Sequence, residues 1–419
     1  MTTTAVQKEG PAAVAPAPTV GSHLHNYWRR VRGGDIGALP AVGMLVLLCA
    51  AFSIVRPSFF TAGNFANLFT QGAAITLISM GLVFVLLLGE IDLSAGFASG
   101  VCAAVLANVV TVFGYPWYVA VLAAIATGVV IGTLLGLLVA KVGIPSFVVT
   151  LAGFLAFQGI ALMLVEEGKN ISVRDDVLLA IANRNLPPAV GWLLAAVGVA
   201  GYAAVQLLRH RQRSVRGLLT DPIAVVLARI GALALILGAA VFILNLERSR
   251  NVLITSLKGV PIVVPVIAVL LIVWTFVLQR TSYGRHVYAV GGNREAARRA
   301  GINVDRIRIS VFVICSAMAA IGGIVAASRA NSVDPNTGGS SVLLYAVGAA
   351  VIGGTSLFGG KGRVLDAVLG GAVIAVIDNG MGLMGYSSGV KYVVTGIVLL
   401  GAATIDALSR RRAAATGTR

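Results

Sequence analysis

Charged side chains are scarce in this sequence. Asp, Glu, Lys and Arg make up 11% of its 419 residues, whereas hydrophobic residues make up 58%. A soluble domain carries about 25% charged residues because its surface faces water. So few charges cannot cover a chain of this length, and the mean hydropathy is +0.92. The composition excludes an ordinary water-soluble domain and predicts that lipid solvates much of the surface.

Cysteine and histidine are also rare. The three cysteines, Cys49, Cys102 and Cys315, lie inside apolar runs and form no CxxC pair, which is typical of small buried side chains. The four histidines all lie outside the apolar runs. We therefore predict no metal site, no cofactor and no catalytic residue, and an enzyme that acts on lipid finds no support.

Apolar segments that can cross a bilayer recur along the whole chain. They predict an all-α polytopic membrane protein with about 10–12 transmembrane helices. The second and third segments, and the tenth and eleventh, are candidates for broken or re-entrant helices. The twelve segments are approximately 37–55, 68–88, 94–113, 117–140, 146–165, 189–208, 223–244, 261–279, 309–328, 342–356, 364–384 and 390–406.

Acidic residues are half as frequent as basic ones, which leaves a net charge of +16. In a soluble protein this charge would suggest binding to nucleic acid, but here its placement explains it. With both termini in the cytoplasm, the segments on that side hold 22 Lys and Arg and those on the opposite side hold eight. Cytoplasmic loops of membrane proteins are enriched in basic residues. We predict a multi-pass protein of the bacterial inner membrane, with membrane lipid and not nucleic acid as its partner.

Three regions follow from this map. Residues 1–36 are rich in Ala, Pro and Thr, end in a basic cluster and show no cleavage pattern, which predicts a disordered cytoplasmic leader and not a signal peptide. Residues 37–408 form the predicted transmembrane domain, and residues 409–419 form a basic cytoplasmic tail. Only one cytoplasmic segment, 280–308, is both sizeable and rich in charge.

That segment contains Glu295-Ala296-Ala297 followed by Gly301. The alanines and the flanking arginines favour a short helix, which Gly301 would end. A short surface helix with a small-residue face can sit in the groove of a partner protein. The alternative is an ordinary solvated helix, and the residues alone leave both interpretations open.

Four sequence blocks stand out in order along the chain: 89–96 (GEIDLSAG), 283–304 (YGRHVYAVGGNREAARRAGINV), 351–362 (VIGGTSLFGGKG) and 378–380 (DNG). Together they resemble the ribose/xylose-type ABC sugar permeases of the branched-chain amino acid/ribose permease superfamily. The first block departs from the family at Glu90, where glycine is usual, and the second lacks the I-x-L-P ending of the broader coupling signature. The resemblance covers about residues 40–408 and implies a type II-like ABC importer permease architecture.

The resemblance also implies partners and contacts. The permease would form a homodimer served by an ABC ATPase subunit with tandem nucleotide-binding domains, and by an extracytoplasmic sugar-binding protein. The extra pair of spans between about 189 and 244 resembles the xylose permeases. The residues that would couple to the ATPase are Gly291, Gly292, Asn293, Glu295, Ala296, Ala297, Gly301 and Asn303.

Five polar residues near span junctions are candidates for a translocation pathway: Glu90, Asp92, Ser94, Asp378 and Asn379. Ionisable groups at membrane depth are costly and point to function. If the junction after the second span is instead a cytoplasmic turn, its two carboxylates are simply solvated. The 89–96 block shares a G-x-x-x-L-x-x-G pattern with 353–360, and paired breaks of this kind mark the pathway in many carriers.

Two glycine-rich patterns have structural explanations. Residues 354–362 look like a phosphate loop, but the spacing to Lys361 is off by one and no Ser or Thr follows it. We therefore predict a transport subunit without its own ATP site. Gly128, Gly132 and Gly136 would give one helix a smooth face for close packing, either within one subunit or between two.

The predicted function is an ABC permease that imports a monosaccharide, xylose or a similar pentose, and couples to its ATPase through residues 280–308. Two alternatives remain open. One is an ABC permease for branched-chain amino acids or another small solute. The other is a secondary carrier driven by an ion gradient, in which Glu90 and Asp92 would relay protons.

Overall fold

The computed structural model describes residue 21 and residues 37–218, 220–249 and 256–415. The predicted leader, residues 1–36, lies outside this part of the chain apart from residue 21. The last helix continues to Ala415, into the segment that the sequence assigned to a tail, and residues 416–419 lie outside the described residues.

Most of the described residues belong to helices, and the predicted all-α fold is confirmed. The short helices α6, α10 and α11 lie between the membrane helices, and one short β ladder joins two loops. The elements in chain order are α1 (Leu39–Val55), α2 (Ala62–Leu87), α3 (Ala95–Ala107), α4 (Trp117–Leu137), α5 (Ser146–Leu164), β1 (Ile171–Ser172), α6 (Asp176–Asn183), α7 (Pro188–Val215), α8 (Ile223–Leu244), α9 (Val263–Arg280), α10 (Ser282–Gly292), α11 (Arg294–Arg299), α12 (Val304–Ala330), β2 (Ser332–Val333), α13 (Ser340–Gly353), α14 (Val364–Leu383) and α15 (Ser388–Ala415).

Each of the twelve predicted spans corresponds to one of these helices. Ten helices of the described chain are long and apolar enough to cross a membrane, counting α3 and α4 with the single π turn that extends each of them. The other two, α1 and α13, are apolar but shorter. At 1.5 Å per residue, the 14 residues of α13 extend about 21 Å, which is less than the thickness of a bilayer core.

Proline begins several of the membrane helices. Pro116, Pro145, Pro187 and Pro222 occupy the N-cap positions of α4, α5, α7 and α8. Proline fixes φ near −65° and has no N–H to leave unpaired, so it fits the start of a helix and stops the preceding segment from continuing. The helix boundaries at these four positions therefore follow directly from the sequence.

The centre of the bundle is the crossing of α12 with α2, α3 and α4. The glycines of α4 let it lie directly against the backbone of α12. A β-carbon on Gly132 would lie 2.5 Å from the carbonyl oxygen of Phe312, and one on Gly136 would lie 2.8 Å from Cα of Ile309. The three-glycine face therefore packs within one chain, which answers the question that the sequence left open.

We expect Gly132→Ala to lower the thermal stability of the permease, because the new methyl group would force α4 away from α12. Overpacking of this kind costs about 1–3 kcal/mol. Gly201→Ala on α7 is the matched control, since nothing lies within 4 Å of its added β-carbon. The midpoint of thermal aggregation in detergent should fall for Gly132→Ala and stay unchanged for Gly201→Ala. Equal midpoints for both variants would contradict this packing.

Helices α7 and α8, the extra pair of spans, form a hairpin at the periphery. They pack mainly on each other, and α8 also contacts α2. Most of their side chains are exposed. This pair is therefore an addition to the bundle and not part of its centre.

The loops gather at two opposite ends of the bundle. At one end β1 pairs with β2, with Ile171 opposite Val333, and Asn185 forms a bridge with Pro261. At the other end lie residues 88–94, 281–303 and 354–363. We name these the outer end and the inner end, after the orientation predicted from the charges.

Candidate functional site: the inner junction and the intramembrane turn

Helices α10 and α11 form a bent segment at the inner end, and two asparagine caps and one glycine set its corners. The Asn293 carboxamide oxygen accepts a hydrogen bond from the Ala296 N–H at 2.9 Å and so begins α11. Gly301 follows α11 with φ +81°, a conformation that glycine adopts without strain. Asn303 then caps α12 by accepting from the Arg306 N–H at 3.0 Å.

The predicted coupling residues divide between two faces of α11. Glu295 and Ala296 are exposed, whereas Ala297 is 3% exposed and packs into the bundle. The helix therefore presents a charged and small-residue surface outward while its inner side is fixed.

The segment is seated where three backbones meet. The Gly360 N–H donates to the Leu87 carbonyl at 2.8 Å. A β-carbon on Gly291 would lie 1.9 Å from that same carbonyl oxygen and 3.1 Å from the Gly360 nitrogen. We call this contact of residues 87–89, 291 and 358–360 the inner junction. The two segments that share G-x-x-x-L-x-x-G are thus neighbours, since a β-carbon on Gly359 would lie 2.9 Å from the Gly89 nitrogen.

Two tyrosines hold α10 on the bundle. The Tyr288 hydroxyl donates to the Gly362 carbonyl at 2.7 Å, and the hydroxyls of Tyr283 and Ser310 lie 2.8 Å apart. Burial raises the pKa of the Tyr283 phenol to about 12. Burial, together with the nearby Asp366 carboxylate, raises the pKa of Tyr288. Both phenols stay protonated at neutral pH and keep these hydrogen bonds.

Glu90 forms ion pairs that connect the turn after α2 to α11 and α12. Its Oε1 accepts from Nη2 of Arg294 at 2.7 Å and lies 2.8 Å from Nη2 of Arg308. The Glu90 side chain is 5% exposed and that of Arg308 is 14% exposed, whereas Arg294 on α11 is 45% exposed. Glu90 is therefore not a solvated carboxylate, and it joins α11 and α12 to the turn after α2.

Asp92 and Ser94 lie deeper, at the start of α3. The Asp92 Oδ1 accepts from the Ser94 N–H at 2.9 Å and from its hydroxyl at 2.6 Å. Both residues are almost fully buried, and the Asp92 Oδ2 finds no hydrogen-bond partner within the described part of the chain. Residues 88–94 thus carry one paired and one half-satisfied carboxylate, and we call them the intramembrane turn after one of the two positions that the sequence leaves open for them.

Helix α3 begins within the bundle, where a loop from the outer end meets it. A β-carbon on Gly96 would lie 2.7 Å from the Gly338 carbonyl oxygen, and one on Gly100 would lie 2.0 Å from that of Thr337. Residues 334–339 precede α13, so the first turns of α3 and α13 face each other. The sequence suggested broken helices at the α2–α3 and α13–α14 junctions, whereas the loop that meets α3 precedes α13.

Asp378 and Asn379 lie elsewhere. Both bond to Gln71 of α2, Asn379 by donating to its amide oxygen at 3.1 Å, and Asp378 also pairs with Lys391 at 3.0 Å. Sixteen residues of α2 separate Gln71 from Leu87, a rise of about 24 Å. The structure thus brings Glu90, Asp92 and Ser94 together, while Asp378 and Asn379 connect α2, α14 and α15 near the outer end.

Sequence reasoning missed several partners of these residues. It did not single out Arg294, Arg308 or Tyr288 as contacts of the junction, nor Gln71 and Lys391 as partners of Asp378. One signal was available: Glu90 stands where the related permeases usually have glycine, and an added buried carboxylate requires a cation nearby. No three His, Cys, Asp or Glu side chains gather into a metal-binding group among the described residues.

Comparisons with known proteins give the family. Residues 64–403 match the family described as branched-chain amino acid transport system / permease component. The chain is 35% identical over 388 residues to the xylose transport system permease protein XylH of Escherichia coli strain K12, covering 90% of this chain and 96% of that protein. It is 29% identical over 362 residues to the ribose import permease protein RbsC of the same strain, covering 86% and 91%.

A second xylose transport system permease, from Haemophilus influenzae strain Rd, is 33% identical over 369 residues, covering 88% of this chain and 95% of that protein. No solved structure matches the chain at a significant level. The resemblance to ribose/xylose-type ABC sugar permeases, predicted from four sequence blocks, is confirmed. The chain is a multi-pass membrane protein, and it belongs to the family of branched-chain amino acid transport system permease components.

Proposed function

We propose that this chain is the permease subunit of an ATP-driven importer of xylose or a similar pentose. Two copies would form the pathway, a separate ATPase subunit with tandem nucleotide-binding domains would bind the inner end, and an extracytoplasmic sugar-binding protein would deliver the sugar at the outer end. Both termini would be cytoplasmic. The 35% identity to a xylose permease over nearly the whole chain supports the substrate class.

The observation that supports the coupling role is the contact of α10 and α11 with the inner junction and with Glu90. Gly291 touches the end of α2, and Arg294 reaches Glu90 on the intramembrane turn. A push on the exposed Glu295 and Ala296 therefore reaches the start of α3 through a short chain of backbone contacts and one ion pair. ATP binding in the partner would move the turn in this way.

The bonds of Glu90 give it a role that needs no ion gradient. Its carboxylate pairs with Arg294 of α11 and Arg308 of α12 and so holds both helices to the turn after α2. Asp92 is the group on which the alternative depends. Replacing Asp92 by Asn would remove any proton relay, so persistence of ATP-driven uptake in that variant favours the ATP-driven mechanism.

Glu295→Lys should abolish pentose uptake without loss of membrane insertion, because Glu295 is exposed on the proposed partner surface. Gln212→Lys is the matched control, since it adds a charge at an exposed position of α7 at the same end of the bundle. The measurement is uptake of radiolabelled xylose by proteoliposomes that contain the whole importer and ATP. Competition by unlabelled ribose and leucine tests the substrate class.

The expected result is uptake near background for Glu295→Lys, full uptake for Gln212→Lys, and competition by pentoses and not by leucine. Unchanged uptake for Glu295→Lys at equal expression would remove the coupling role from α11. If leucine competes and ribose does not, the proposed substrate is a branched-chain amino acid and not a pentose.

A further inference from the structure

A polar cleft at the outer end is not explained by the coupling role. It has a volume of about 690 Å³, within the range of about 300–1,000 Å³ typical of small-molecule sites. It opens between α5, the loop after it and the loop before α13. Its polar lining is Gln158, Glu167, Lys169, Asn170, Asp334 and Asn336.

The amides of this cleft are available for a ligand. The side chains of Gln158, Asn170 and Asn336 make no hydrogen bond to any residue that the structure describes. Carboxamides both donate and accept, and carboxylates accept, so the lining matches the hydroxyls of a sugar, each of which is a donor and an acceptor. The loop that carries Asn336 is itself fixed, since the Asn336 N–H donates to Asp334 at 2.7 Å.

A row of side chains on α5 leads inward from this cleft. Ser146, Thr150, Phe154 and Gln158 follow one another at four-residue spacing, which forms a ridge along a helix. Gln158 lines the cleft, and Thr150 donates to the Ile91 carbonyl of the intramembrane turn at 3.2 Å. Twelve residues of helix span about 18 Å, so this row extends from the cleft to the turn.

An aromatic pair interrupts the polar row. The rings of Phe97 on α3 and Phe154 on α5 meet edge to face, with centroids 4.8 Å apart. Outside the pair are the amides of the cleft, and on its inner side lie Ser94, Thr150 and Asp92. A β-carbon on Gly153, the neighbour of Phe154, would lie 3.2 Å from Cβ of Ser94.

We propose that the cleft is a monosaccharide-binding vestibule of the translocation pathway and that the Phe97–Phe154 pair is the constriction beneath it. This inference rests on the pentose-permease function proposed above and names the outer part of its route. The sugar enters the cleft by exchanging water for amide and carboxylate hydrogen bonds. It passes inward when a movement of α3, transmitted from the intramembrane turn, separates the two rings.

The first test measures flux without ATP. Proteoliposomes containing the whole importer are loaded with labelled xylose, and efflux is followed for Phe154→Ala and for Phe147→Ala, an exposed phenylalanine of the same helix. We expect efflux through Phe154→Ala to exceed wild type about tenfold, with sucrose retained, and Phe147→Ala to match wild type. Wild-type efflux from Phe154→Ala, or equal release of sucrose, would overturn the constriction.

The second test separates a sugar site from a docking surface for the binding protein. In the Gln158→Ala/Asn336→Ala double variant, ATP-driven xylose uptake should fall about tenfold while ATP hydrolysis stimulated by the binding protein stays within twofold. A parallel loss of hydrolysis would assign the cleft to docking, and unchanged uptake would remove it from the pathway. ATP-driven xylose uptake by the wild-type importer in the same assay tests the proposed function separately.

Discussion

Gly291→Ala is expected to reduce ATP-driven pentose uptake about tenfold, whereas Gly292→Ala leaves it within twofold. The added methyl group at 291 would lie 1.9 Å from the Leu87 carbonyl oxygen, but the one at 292 meets nothing within 4 Å. Relieving such an overlap costs about 1–3 kcal/mol, and 1.4 kcal/mol corresponds to about a tenfold change. Two adjacent glycines of one helix thus give opposite results if the inner junction is as tight as its geometry indicates.

The measurement compares xylose uptake, ATP hydrolysis and the amount of importer recovered from the membrane. We expect Gly291→Ala to assemble with its ATPase but to transport less sugar for each ATP hydrolysed, because α10 no longer sits on the end of α2. Equal uptake by the two variants would show that the junction carries no coupling. If neither variant assembles with the ATPase, the ATPase itself contacts the two glycines.

Glu90→Gln, in the intramembrane turn, should strongly lower the thermal stability of the permease. It keeps the size of the side chain but leaves the Arg308 guanidinium, 14% exposed, without its counter-charge. Removing one partner of a buried ion pair costs about 3–5 kcal/mol, although this pair keeps some access to water through Arg294. The carboxylate was a pathway candidate from sequence, and its bonds make it a positioning residue for the intramembrane turn.

Variants of Arg308 and Arg294 separate the contribution of the ion pairs to stability from their contribution to coupling. Arg308→Gln combined with Glu90→Gln should recover part of the lost thermal stability, since the unpaired charge is gone. Arg294→Ala should change stability by less than about 1 kcal/mol, because Arg294 is 45% exposed, but should lower the sugar transported per ATP. A thermal midpoint for Glu90→Gln equal to wild type would contradict the buried pair.

Much of the fold was predictable from the sequence because it depends on local signals. Apolar runs predict every membrane helix, and prolines such as Pro116 and Pro145 predict where some of these helices begin. The short helix around Glu295 and its end at Gly301 followed from helix propensity and from the conformational freedom of glycine. These features are each determined by a few neighbouring residues.

The parts that could not be predicted depend on contacts between distant segments. Hydropathy does not report how deeply a turn enters the bundle, so Glu90 and Asp92 could be read as solvated or as buried. The contact of Leu87, Gly291 and Gly360 is made by backbone atoms. No pattern of side chains in the sequence predicts such a contact. Asp378 and Asn379 were grouped with Glu90 because all are polar residues near span ends, but the direction of α14 places them near the opposite end.

The pattern that looks like a phosphate loop is a turn between two helices. Residues 354–363 connect α13 to α14, and a P-loop requires a strand before the loop so that its N–H groups converge on phosphate. The Gly360 N–H is instead bonded to Leu87. Gly359 and Gly360 of this turn belong to the inner junction.

Site-specific photo-crosslinking of the complete importer in its membrane tests the proposed coupling surface most directly. A p-benzoylphenylalanine replaces Glu295 on α11 in one sample and Lys169 at the outer end in another. We expect a crosslink from position 295 to the ATPase subunit and none from position 169 to that subunit. A crosslink to the ATPase from position 169, or none from position 295 at equal expression, would contradict both the coupling surface and the orientation of the chain.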